Sequence, residues 1–186
     1  MDRMINFKKA PIIVLIALVL SLGVFHFNYV SAQTTVLTDS QVESVRASCT
    51  PAKNILSQLH ASDALLRVNR GQIYESMSTK LMARFNNRVS GSGFNTQYLS
   101  QAMQDYTASL NDFRASYRVY EERLSSTINI DCSKNPIEFY QSLMDSRYNR
   151  TVLHTSVVKL NQKMDDYGSA VIDFRDSFFG ETGTSL

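Results

Sequence analysis

Two cysteines, three histidines and the carboxylate pairs Glu121-Glu122 and Asp165-Asp166 are the side chains of this sequence best suited to chemistry. A structural zinc site takes four ligands, and His60 and His154 lie on distant segments. Neither has a second His or a Cys one helical turn away, and His60 with Asp63 alone is too thin a donor set. Neighbouring residues on a helix point in different directions, so both carboxylate pairs read as solvated faces rather than acid/base dyads. No Gly-rich phosphate loop, Walker motif or nucleophile elbow is present. Asn149-Arg150-Thr151 is a glycosylation sequon, a triplet that also arises by chance. The expectation is a chain that is not an enzyme, with no catalytic, cofactor-binding or metal-ligating residue. That leaves Cys49 and Cys132, whose chemistry depends on whether the fold brings them together.

The elements that decide this are helices. With 7 Gly and 3 Pro in 186 residues, the chain lacks the turns that a sandwich or barrel of short strands requires. From Leu99 the apolar positions are Met103, Tyr106, Leu110, Phe113, Tyr117, Tyr120 and Leu124, stepping alternately by four and three. That is the heptad seam of a coiled coil. A second such series runs Leu153, Val157, Leu160, Met164, Tyr167, Val171, Phe174 and Phe178. An earlier series is less regular: Ala52, Leu56, Leu59, Leu66, Ile73, Met77, Leu81, Phe85 and Val89. Asp63 and Arg70 fall where apolar residues are expected, and Met77-Leu81-Phe85 is a stutter of the repeat. Looser, more solvated packing is expected there.

Boundary signals agree. Gly91-Ser92-Gly93 ends one helix, Asn95 or Thr96 caps the next, and Asn135-Pro136 with Glu138 opens the last. Ser40 and Glu43 have capping-box spacing, so a short helix over about 40–49 precedes Pro51, where a new helix begins or the first one kinks. The expected fold is all-α: an elongated antiparallel three-helix coiled-coil bundle over 51–178, with helices of about 51–90, 96–128 and 136–178. Residues 33–50 form a linker and short helix, and 179–186 a flexible tail.

In such a hairpin Cys49 lies level with residue 136, within about 6 Å of helix rise of Cys132. A Cys49–Cys132 disulfide is therefore expected in an exported chain, against the alternative of two free buried thiols. Residues 1–32 point to export. Arg3, Lys8 and Lys9 precede an apolar run from Ile12 to Phe25, and Val30-Ser31-Ala32 offers small residues at a cleavage site. Cleavage between Ala32 and Gln33 is expected, with an uncleaved anchor over residues 10–32 as the rival. His26 and Asn28 interrupt that anchor, and both are costly at membrane depth. Setting aside Arg3, Lys8, Lys9 and Asp2 leaves 16 basic and 16 acidic residues. A neutral chain lacks the basic footprint that nucleic acid or an anionic bilayer requires.

Tyrosines at seam positions read as core. Tyr98, Tyr140 and Tyr148 flank the seams as a candidate surface contact patch, with Phe178 and Phe179 as a second contact point. The order of leader, Ser48-Cys49 at the head of a long helix, polar hairpin turn and Asp131-Cys132-Ser133-Lys134-Asn135-Pro136-Ile137-Glu138-Phe139 opening a final helix carries a resemblance. It resembles exported two-cysteine helical proteins of candidate-phyla-radiation bacteria (Patescibacteria- or Saccharibacteria-like). The resemblance implies fold and address only, in a bacterium living on other cells, periplasmic, extracellular or anchored at the outer face of the membrane. The expected function is a non-enzymatic envelope or cell-surface scaffold that binds a protein partner, as a monomer or homo-oligomer and without a cofactor. An extracytoplasmic holdase chaperone is the alternative, against which the neutral charge counts.

Overall fold

The computed structural model describes residues 37–182, with side chains to residue 180. The leader, with its Ala32/Gln33 junction, lies outside the described residues. Among the described residues there is no strand, and the chain is all-α. Its helices are α1 (Asp39–Ala47), α2 (Cys49–Ser76), a π-helical segment (Met77–Met82), α3 (Ala83–Gly91), α4 (Gln97–Asn129) and α5 (Pro136–Thr182). Among the described residues no helix is long and apolar enough to cross a membrane.

Each boundary has a local cause. Thr38, not Ser40, caps α1: its hydroxyl accepts from the Gln41 N–H, and the Gln41 side chain accepts from the Thr38 N–H at 2.9 Å. Glu43 instead pairs with Arg46 at 2.7 Å. The break between α1 and α2 falls at Ser48. That places Pro51 in the first turn of α2, where its missing N–H has no partner to lose. Ser92 and Gly93 close α3, with Gly93 at φ 84°. The Gly93 N–H bonds the Ser90 carbonyl and the Phe94 N–H that of Val89, a Schellman arrangement. The Asn95 side chain then accepts from the Gln97 N–H at 3.0 Å as α4 begins.

Paired residues fix the topology. Along α2 and α4 the partners run in opposite senses: Cys49 bonds Cys132 just beyond α4, His60 meets Glu121, and Glu75 meets Arg114. From α4 to α5 the order reverses again, with Thr127 against Ser142 and Asp112 against Lys159. The α4 and α5 apolar series are buried or half-buried throughout. The earlier series is the solvated one, in line with its irregular spacing: Leu66 and Ile73 on α2 and Leu81 in the π-helical segment are 50, 59 and 52% exposed. Polar contacts orient α2 instead, because Asp63 accepts from the buried Tyr120 hydroxyl at 2.6 Å and His60 sits 3.2 Å from Glu121.

The stutter at Met77-Leu81-Phe85 coincides with the π-helical segment. Tyrosine hydroxyls from the two neighbouring helices bond backbone carbonyls around it. Tyr106 from α4 donates to the Tyr74 carbonyl in the turn of α2 before it, 3.0 Å away. Tyr167 from α5 donates at its end to the Met82 carbonyl and to Asn86 Oδ1 at 2.8 Å. From the last residue of this segment onward, Met82, Asn86 and Val89 face inward. Two apolar clusters result, one around Cys49, Leu56, Leu124 and Cys132, the other from Tyr74 onward. Between them, from Ser57 to Ile73, α2 adds no buried apolar side chain to either.

Candidate functional site

The gap between those clusters is an open groove of about 690 Å³, walled by α2 and α5 and floored by α4. Its apolar surface comes from Tyr74 and Leu66 on α2, Phe113 and Tyr117 on α4, and Leu153 and Val157 on α5. Tyr74 and Phe113 meet edge to face with ring centres 5.6 Å apart, which stiffens the floor. Burial, reinforced by Glu121 and opposed by Arg67, raises the Tyr117 hydroxyl above its ordinary range, so it stays a neutral donor.

The walls are cationic. Arg67 and Arg70 stand on α2, Arg147 and Arg150 on α5, and His154 follows one turn later. Spacing by three residues places each arginine pair on one helix face. Among the described residues Asp63 is the only acid lining the groove, and it is occupied: it accepts from Tyr120 and lies 3.6 Å from Arg150. Arg67 lies over the Tyr117 ring, 5.5 Å from its centre. Arg70 and Arg147 have no side-chain partner among the described residues. Four guanidinium groups around an apolar floor thus stand in a chain whose residues 33–186 carry balanced charge.

The anticipated contact residues lie elsewhere. Tyr98 is exposed in the first turn of α4, whereas Tyr140 and Tyr148 sit on α5 beside the last turn of α4, where Thr127 meets Ser142 and Ser146. Nearly the full length of α4 separates them, so the three tyrosines form no single patch. Phe178 is half-buried in an edge-to-face row with Phe94 and Phe174, and Phe179 extends that row into solvent. The Asn149 amide of the sequon donates to the Asp145 carbonyl at 2.8 Å within α5. Cys49 and Cys132 are joined with Cα atoms 5.4 Å apart. Among the described residues no three His, Cys, Asp or Glu gather as a metal site.

In the sequence the groove shows only as an interruption, since Asp63 and Arg70 break the apolar register there. Nothing in the α5 pattern signals that Arg147 and Arg150 line the same groove. Comparison with protein-family models, with curated proteins and with solved structures finds no match.

Proposed function

We propose that this chain is a non-enzymatic, exported interaction module of the cell envelope or surface that docks a protein partner between α2 and α5. The observation that carries this reading is the groove itself: an apolar floor left open to solvent and bordered by arginines, two of them unpaired among the described residues. Arginine and aromatic side chains are the types that concentrate binding energy at interfaces. The leader-like residues 1–32 and the Cys49–Cys132 disulfide support an oxidising, extracytoplasmic address. A rigid coiled-coil frame over the three long helical stretches would hold the two walls apart.

The test is reversible crosslinking in the producing cells, followed by purification of the wild-type chain and of Arg70→Glu/Arg147→Glu. A discrete partner recovered with the wild type and lost from the double variant is the expected result. Equal recovery by both chains would remove the groove as the docking surface. The holdase reading draws on the exposed Ile55, Leu65, Val68 and Ile73 of α2. It predicts instead many unrelated proteins, recovered alike by both chains.

A further inference from the structure

Granted the docking role proposed above, on which this assignment rests, the shape and charge of the groove specify its occupant more closely. The lining residues run from Asp63 to Tyr74 on α2 and from Arg147 to Val157 on α5. At 1.5 Å per residue each wall is about 16 Å long. The space is therefore a trough parallel to the helices rather than a closed chamber for a small molecule. A trough with an apolar bed and two parallel walls is the geometry that receives an amphipathic helix.

Charge decides which helix. Each wall carries two arginines one turn apart, Arg147 and Arg150 at the end of the trough where Arg150 meets Asp63, and Arg67 and Arg70 further along the opposite wall. A helix with an apolar stripe on the floor presents flanking residues at the same one-turn spacing to both walls. Those flanking residues complement the walls only if they are carboxylates, which guanidinium groups can bind in a two-pronged fashion. The same arrangement disfavours a symmetric second copy, because in a two-fold contact each patch meets itself and arginines would face arginines.

We infer that the groove is a receptor for an acidic amphipathic helix of a partner protein, with its apolar stripe on Tyr74, Phe113, Leu153 and Val157. Its carboxylates engage Arg70 and Arg147, the two guanidinium groups without a side-chain partner among the described residues, and extend to Arg67 and Arg150. Partial replacement of Asp63 at Arg150 by a ligand carboxylate adds a contact without stranding Asp63, which keeps the Tyr120 hydroxyl.

The experiment uses the disulfide-bonded chain and two fluorescent synthetic helices of about 18 residues, ~27 Å long. Both carry a leucine stripe, flanked in one by glutamates and in the other by lysines. The expected result is saturable binding of the glutamate helix, at least ~10-fold tighter than the lysine helix, weakening with added salt. Arg70→Glu/Arg147→Glu should reduce its affinity by ~10-fold or more, and Arg70→Gln/Arg147→Gln by less. Both residues lack side-chain partners among the described residues, so the variants should keep the wild-type circular dichroism; if one does not, the Gln pair and the salt dependence decide. Equal binding of the two helices overturns the charge assignment. Absence of saturable binding by either helix overturns the acidic-helix assignment. If a groove-dependent partner is nonetheless recovered from cells, docking stands and only the occupant's chemistry is wrong. If none is recovered, both readings fall. Tighter, arginine-dependent binding to vesicles containing phosphatidylglycerol than to the glutamate helix would make the surface a membrane contact and overturn the proposal.

Discussion

Buried hydroxyls do much of the positioning in this molecule. Tyr106 bridges from α4 to the turn before the π-helical segment and Tyr167 from α5 to its last residue, and both hydroxyls are pushed up to about 12. Burial is the main cause for each, with Tyr74 and Glu75 adding to it at Tyr106. A raised folded-state value means the neutral hydroxyl is favoured by folding. Its contribution is complete below pH 10.0, the ordinary tyrosine value, and is lost as pH rises toward 12. An alkaline titration should therefore show delayed tyrosinate absorbance that arrives together with loss of helical circular dichroism. Tyrosinate appearing in full before any helix is lost would count against this. Thr127 is fully buried and holds the Ser142 and Ser146 hydroxyls at 2.7 and 2.8 Å. Thr127→Val keeps the shape but strands the buried Ser146 hydroxyl, and urea unfolding should show a loss of about 1–3 kcal/mol. Apolar periodicity carries no trace of such bonds, which is why the sequence alone does not disclose these roles.

Helices α4 and α5 are readable from sequence because every step of their apolar series faces the core. Helix α2 packs loosely in its middle, as the irregular series implies, because its inward face is polar: Asp63 and His60 turn inward toward tyrosine and glutamate partners, leaving Leu66 and Ile73 outside. The stutter does overlap the π-helical segment, since the run of four-residue steps from Ile73 to Val89 requires the seam to be re-aimed. Two glycines test the helix assignments in opposite directions. A Cβ at Gly168 meets nothing within 4 Å, so Gly168→Ala should stabilise α5 by up to about 1 kcal/mol. Gly93 has equal space but sits at φ 84°, so Gly93→Ala should cost about 1–2 kcal/mol. Thermal melts of the two variants should move apart from the wild type. Movement in the same direction would contradict the placement of the α3–α4 turn.

At the scale of the described unit, the Cys49–Cys132 bond ties the start of α2 to the connection before α5, across 83 residues of sequence. Hairpin geometry puts these cysteines near one level on residue spacing alone, because helical rise converts residue number into height. Replacing both with serine should lower stability by up to about 4–5 kcal/mol in the chain-entropy picture, read as a shift in denaturant midpoint. An unchanged midpoint would mean the bond constrains nothing. The groove cannot be read the same way, since opposing walls come from helices whose relative rotation no periodicity fixes. Whether the chain works through this groove is decided by photocrosslinking in the producing cells. A photoreactive residue replaces Leu66 at the groove lip in one chain, and in another the exposed Gln104 on α4, away from the groove. A docking groove should give one discrete adduct from position 66, diminished by Arg70→Glu/Arg147→Glu, and none from position 104. The same adducts from both positions, or none from position 66, would contradict it.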